Sequence, residues 1–160
     1  MTIQVGDHLP QVTFRVSGAD GPEAKTTDDL FKGRRVVLVG VPGAFTPSCH
    51  RNHLPGFVEK QAEIKARGID TIAITSVNDV FVLDAWQKAS GAEDLEFLAD
   101  GNAEFAKAIG LDMDGAGFGL GTRSKRYAML VEDGVVRVLN VEDSPAKTEL
   151  SGAEALLKVI

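Results

Sequence analysis

The chain's single cysteine, Cys49, stands in Gly40-Val41-Pro42-Gly43-Ala44-Phe45-Thr46-Pro47-Ser48-Cys49-His50, where a buried-looking run meets a Pro/Gly turn and a helical pattern begins. A thiol just inside a helix start lies among unpaired backbone N–H groups, where the helix dipole favours an anion. The reactive form of cysteine is the thiolate, and a helix N-terminus or a nearby cation brings the ordinary thiol pKa of about 8.5 to ~3.5–7.5. Thr46, three residues earlier, has a hydroxyl that can donate to a thiolate or to a substrate oxygen. Pro42 and Pro47 stiffen the turn, and Pro42 can shield the sulfur from water. The combination points to an activated sulfur nucleophile. A fixed positive charge is missing locally. Arg123, Lys125 and Arg126 lie far off in sequence, at the mouth of a strand that can neighbour residues 35–41. Arg126 directly precedes Tyr127-Ala128-Met129-Leu130-Val131 and would enter the site from an ordered strand edge. A guanidinium is always charged, and its fork of donors suits a thiolate and a developing oxyanion together. Arg123 reads as a surface charge nearer the loop.

The elements that must position these groups are legible from patterning. Val36-Val37-Leu38-Val39 is β-branched, short and uninterrupted, so Arg35–Val41 reads as a buried strand. Before it, Gln4–Pro10 is an extended entry, Gln11–Val16 alternates like a half-buried strand, and Gly18–Pro22 is a turn. Lys25–Thr27 is a return strand, and Asp28–Phe31 is one helical turn stopped near Gly33. After it, Ser48–Arg67 has helical spacing, with Pro55 kinking it after two turns and Gly68 as its stop. Asp70–Ser76 is a strand, and Asn78 caps a helix over Asp79–Ser90. Leu95–Ala99 is a short strand, and Asn102–Ile109 is a short helix. A Gly-rich loop, Leu111–Thr122, follows, read as mobile. Arg126–Glu132 and Val135–Val141 form a hairpin around Asp133-Gly134. Ser151 caps a last helix, with Glu154 completing a capping box. The order predicts an α/β fold in one domain, 1–160, with a mixed central sheet and helices on both faces. In such sheets the reactive site lies outside the carboxyl end of a central strand, where the stretch after Val41 falls.

Composition narrows the function. The 160 residues are 44% apolar, enough for one full core. A net charge of −6 without a basic stripe argues against nucleic acid and anionic membrane as partners. No apolar run approaches a membrane span. Met1–Pro10 carries no secretory pattern. One cysteine excludes an internal disulfide and suits a reducing compartment, so the expected location is cytoplasmic.

Blander readings stand beside the sharp ones. A lone cysteine is often an inert core residue, and Thr46 alone would be a simple cap. His53, four residues after Cys49, permits a Cys–His pair or half a metal site, but a histidine bonded to backbone near Pro55 is the simpler reading. His50 reads as exposed or interfacial and His8 as a surface residue. Gly115, Gly117, Gly119 and Gly121 imitate a nucleotide loop, but they neither follow a strand nor open a helix. Asp112 and Asp114 suggest a calcium loop only faintly, because Arg123 stands where a glutamate is needed. Trp86 reads as packing.

Pro42-Gly43-Ala44-Phe45-Thr46-Pro47-Ser48-Cys49 resembles the Pro-x-x-x-Thr-x-x-Cys signature of peroxiredoxins. His53-Leu54-Pro55-Gly56-Phe57, Ser76-Val77-Asn78-Asp79 and Lys125-Arg126-Tyr127 resemble its type II, peroxiredoxin-five-like subgroup. The resemblance runs from about Val5 to Glu142 in the family's order and implies a thioredoxin-like fold. It implies that Cys49 is the peroxidatic cysteine, which attacks a peroxide oxygen and becomes a sulfenic acid. Thr46 would hydrogen-bond the peroxide, and Arg126 would polarise it and hold the thiolate. Pro42 would shelter the site, and backbone N–H groups near Ser48 and Cys49 would bind the oxygens. No metal or cofactor is implied. Type II members with a resolving cysteine carry it in the strand before Ser-Val-Asn-Asp or near the C-terminus. Here the strand position is Ile74 and no cysteine follows Cys49. Regeneration would then use an external thiol: glutathione, alone or with glutaredoxin, or thioredoxin. The family also implies a non-covalent homodimer, with Phe45 and Phe81 near the contact. The expected activity is reduction of hydrogen peroxide and alkyl hydroperoxides. The alternatives are a redox-sensing thioredoxin-fold protein and a Cys49/His53 hydrolase, which lacks a third group to orient its histidine.

Overall fold

The β-branched run leading to Cys49 becomes a strand, Arg35–Val41, buried at every residue except Arg35. The computed structural model describes residues 2–160. Its strands are β1 (Thr13–Gly18), β2 (Gly21–Thr26), β3 (Arg35–Val41), β4 (Thr71–Ser76), β5 (Glu96–Ala99), β6 (Asp112–Asp114), β7 (Thr122–Ser124), β8 (Tyr127–Glu132) and β9 (Val135–Val141). Its α-helices are α1 (Thr27–Phe31), α2 (Leu54–Lys65), α3 (Val80–Ala89), α4 (Glu104–Ala108) and α5 (Ala153–Leu157). The main sheet has the order β2-β1-β5-β4-β3-β8-β9, and β6 pairs with β7 apart from it. β3 runs parallel to β4, and β4 to β5. β8 pairs antiparallel with β3 and with β9, and β1 antiparallel with β2 and β5. The sheet is therefore mixed, as the βαβ pattern and the late hairpin predict.

Period-two alternation sends β3 side chains to two cores. Val37, Val39 and Val41 pack with Phe57 and Ile64 of α2, Leu83 and Trp86 of α3, and Leu156 of α5. Val36 and Leu38 pack on the opposite face with Leu30 and Phe31 of α1 and Phe105 of α4. Helices thus cover both faces. Fully burying each such side chain stabilises the fold by roughly 1.5–3 kcal/mol. Gly40 lies opposite Tyr127 in the β3–β8 ladder, and a Cβ on Gly40 would overlap the tyrosine ring. The missing side chain lets an aromatic residue close the sheet just below the reactive turn.

Several boundaries differ from the sequence reading. The return strand is longer than Lys25–Thr27, because the turn shrinks to Ala19-Asp20 and the ladder continues back to Gly21. Asp79, not Asn78, caps α3 by accepting from the Val82 N–H. Asn78 Oδ1 instead accepts from the Ala44 N–H at 2.9 Å, tying α3 to the reactive turn. Ser151 caps nothing: Gly152 occupies the cap position of α5, and the serine is used elsewhere. The Gly-rich stretch expected as a loop holds the β6–β7 ladder, with Met113 opposite Arg123. The Asp133-Gly134 turn is as expected, with both residues at positive φ, as a two-residue hairpin turn requires.

Candidate active site

The turn after β3 delivers Cys49 to a helix start. The His50 N–H donates to Thr46 O at 2.8 Å, so Thr46 is the cap residue and Pro47 opens the helix. Proline fits there because its missing donor would have no partner anyway. Ser48 and Cys49 then occupy the next two positions, whose N–H groups have no acceptor inside the helix. The helix does not continue as α. Cys49–His53 is a π turn, closed by the Leu54 N–H on Cys49 O, and regular α2 starts only at Leu54. This corrects the expectation of a kink two turns into one helix. Pro55 has no N–H for the carbonyl four residues back, and a wider turn ahead of it accommodates that loss.

Cys49 is fully buried. Arg126, just ahead of β8 and 2% exposed, donates from Nη2 to Cys49 Sγ at 3.0 Å. Two more of its donors, Nε at 3.0 Å and Nη2 at 2.8 Å, converge on Pro145 O. Nη1 donates to His53 Nδ1 at 2.9 Å. Four of the five guanidinium N–H groups thus have protein acceptors, and one on Nη1 is left over. No carboxylate among the described residues forms an ion pair with Arg126. A buried cation needs pairing or hydrogen bonds, and besides the Pro145 carbonyl and the His53 ring the group that meets this one is the Cys49 sulfur.

His53 is buried, and its ring is spoken for at both ends. Nδ1 accepts from Arg126, so Nε2 carries the proton and donates to Ser151 O at 2.9 Å. Burial drives its pKa down from 6.5 to about 3; the Ser151 bond opposes that shift, and the Arg126 charge adds to it. A neutral ring without a free lone pair cannot take a proton from Cys49, so the hydrolase arrangement is not formed. The simpler reading of His53, a histidine bonded to backbone, holds in part: it also orients Arg126.

Thr46 Oγ1 donates to Gly43 O at 2.7 Å. Its hydrogen is committed, so toward the site it offers lone pairs and not the donor expected from sequence. Ser48 Oγ donates to Ala146 O at 3.2 Å, so the donor it keeps for a ligand is its backbone N–H. Pro42 is buried directly after β3. Arg123 is not a surface charge. It is half-buried, donates to Leu120 O at 2.8 Å and Val77 O at 3.1 Å, and lies beside Gly43. His50 is likewise engaged, accepting from Trp86 Nε1 at 3.0 Å. Phe45, at φ 62°, adopts a left-handed backbone that is strained for a bulky residue and packs against His50 and Trp86.

Cys49, Thr46, Arg126, Pro42 and Ser48 therefore gather at the carboxyl end of β3. Sequence reasoning missed the Glu142–Ser151 pair behind them. Glu142 Oε2 accepts from both the N–H and the hydroxyl of Ser151, each at 2.6 Å. The available signal was Ser151 itself, an apolar-flanked serine that reads equally well as a helix cap.

Comparison with known proteins places this geometry. Residues 4–157 match the family model described as Redoxin. The chain is 48% identical over 165 residues to peroxiredoxin-2E-2, chloroplastic, of Oryza sativa subsp. japonica, covering 99% of this chain and 73% of that protein. It is similar to the crystal structure of reduced Prx3 in complex with hydrogen peroxide from Vibrio vulnificus, with TM-score 0.94, 48% identity and 98% of each chain covered. Peroxiredoxin 5 from Alvinella pompejana gives TM-score 0.85 at 33% identity, with 98% of this chain and 96% of that one covered.

Proposed function

We propose that this chain, which belongs to the Redoxin family and is a peroxiredoxin of thioredoxin-like fold, reduces peroxides through Cys49. It is a thiol-dependent peroxidase, an oxidoreductase. The observation that carries the assignment to Cys49 is the buried Arg126 guanidinium, 3.0 Å from Sγ and without a carboxylate partner among the described residues. It favours the anionic sulfur. The remaining Nη1 N–H and the Cys49 N–H, which has no acceptor among the described residues, are donors for the peroxide, and the Thr46 lone pairs accept its hydrogen. Pro42 and Ser48 contribute shelter and a backbone N–H.

In the reaction the thiolate attacks the terminal oxygen of R–O–O–H. An S–O bond forms and the O–O bond breaks, so Cys49 is oxidised to sulfenic acid and RO⁻ leaves. The donors meet the charge growing on RO⁻, the role of preorganised hydrogen bonds in a dry site. RO⁻ takes up a proton, the equivalent of the one Cys49 released, and departs as ROH. An external thiol then attacks the sulfenic sulfur and expels water. A second thiol reduces the mixed disulfide and restores Cys49. Cys49 is the single cysteine of these 160 residues, so none of them offers it a disulfide partner. We assign the reductant role to glutathione, alone or with glutaredoxin, or to thioredoxin. The substrates are hydrogen peroxide and small alkyl hydroperoxides. The same cysteine count supports a reducing, cytoplasmic location. Exposed Phe45 and Phe81 support a non-covalent homodimer.

Stopped-flow oxidation of the reduced protein tests the assignment. Thr46→Val and Arg126→Ala are expected to lower the second-order rate constant at least tenfold, and Cys49→Ser to abolish turnover. Unchanged rates in the first two variants would remove both residues from the site's chemistry.

A further inference from the structure

Arg126 must be aimed, because its fork serves several acceptors at once. Two of those acceptors trace back to one carboxylate. Beyond the end of β9 the Glu142 N–H donates to Arg126 O at 3.0 Å, which fixes Glu142 beside the arginine's backbone. Its Oε2 takes both donors of Ser151 at 2.6 Å and so closes the base of the loop 142–151. Inside that loop lies Pro145 O, which receives two guanidinium bonds. At its end lies Ser151 O, which receives His53 Nε2 and sets the tautomer whose Nδ1 meets Arg126. Glu142 is 6% exposed, Ser151 0%, His53 2% and Arg126 2%. Glu142 Oε1 is buried with no hydrogen-bond partner among the described residues. Burying a carboxylate with one oxygen unpaired is unfavourable, and the loop closure made by the other oxygen accounts for its place here.

We propose that Glu142 is a positioning residue for peroxide reduction, clasping Ser151 so that the Pro145 and Ser151 carbonyls hold the Arg126 fork on Cys49. The inference rests on the reading that Arg126 activates Cys49. It assigns the stretch after β9, remote from the sequence motif, a part in the rate of the chemical step.

The test is a double-mutant cycle read as the rate constant of Cys49 oxidation by hydrogen peroxide, with far-UV circular dichroism and Trp86 fluorescence confirming the fold. Glu142→Ala is expected to slow oxidation tenfold or more in the wild-type background. It is expected to have no effect beyond twofold in the Arg126→Ala background. Glu142→Gln keeps an acceptor oxygen and should fall between. A loss of equal size in both backgrounds would show that Glu142 acts on the fold at large, and would overturn the proposal. Full activity of Glu142→Ala beside a slow Arg126→Ala would overturn it alone. Full activity of Arg126→Ala would instead overturn the reading beneath it. Should Glu142→Ala not fold, Glu142→Gln and Ser151→Ala carry the same cycle, and equal losses in both backgrounds again refute it.

Discussion

Replacing Arg126 by lysine separates charge from geometry. Arg126 directs four bonds along a rigid plane: two to Pro145 O, one to His53 Nδ1 and one to Cys49 Sγ at 3.0 Å. Lysine keeps the charge, and with it much of the Coulombic support for a thiolate. Its three donors radiate from one nitrogen, which cannot occupy the positions of Nε, Nη1 and Nη2 together. The nitrogen will settle between Pro145 O and His53 Nδ1 or move to the sulfur, leaving the other side unmet. A hydrogen bond to a charged group contributes about 1.5–3 kcal/mol. Losing one such bond in the transition state therefore slows the chemical step about ten- to 150-fold, at 1.36 kcal/mol per decade. Arg126→Ala, which also removes the charge, should be slower still. The assay is stopped-flow fluorescence with hydrogen peroxide under pseudo-first-order conditions, on protein shown to be folded. An Arg126→Lys rate within threefold of wild type would refute the reasoning, because charge alone would then suffice.

Other outcomes follow from the same structure. His53 has a folded pKa of about 3 against 6.5 unfolded, so acid favours the unfolded chain, which binds the proton. The stability tied to its neutral form is complete above pH 6.5 and is lost as pH falls toward 3. It amounts to roughly 5 kcal/mol at 1.36 kcal/mol per unit. Chemical denaturation from pH 7 to 4 should show this slope in wild type and a reduced slope in His53→Gln. Gly40→Ala drives a methyl into the Tyr127 ring; overpacking of this kind is unfavourable by about 1–3 kcal/mol. Differential scanning calorimetry should register about 2–4 °C lower Tm per kcal/mol, whereas an unchanged Tm would contradict the packing. With one cysteine, sulfenic Cys49 waits for an external thiol. Excess peroxide without thiol should therefore add two oxygens by intact mass, as sulfinic acid, and a spectrum free of added oxygen would count against this.

How much of this was legible beforehand depends on how local each signal is. Val36–Val39 and Asp133-Gly134 declare themselves within a few residues, and both elements formed where expected. Cys49 and Thr46 share one turn, so their proximity follows from spacing alone. Arg126 reached Cys49 across 77 positions; its place at a strand mouth allowed the approach, but the assignment rested mainly on the resemblance of Lys125-Arg126-Tyr127. Ser151 was misread because its local context suits a helix cap, while its actual partner, Glu142, is supplied by the loop that folds back between them. Arg123 was misread because its acceptors are backbone carbonyls of Leu120 and Val77, which leave no trace in residue types. The π turn at Cys49–His53 was hidden because Pro55 predicts a disturbance but not its form.

The most direct test of the central claim mixes the reduced protein rapidly with substoichiometric hydrogen peroxide and traps sulfenic acid at Cys49. Glutathione with glutaredoxin is then added to follow the return of the thiol. Activation by Arg126 and Thr46 predicts oxidation at Cys49 several orders of magnitude faster than free cysteine, with recovery and repeated turnover. Oxidation no faster than free cysteine would contradict it.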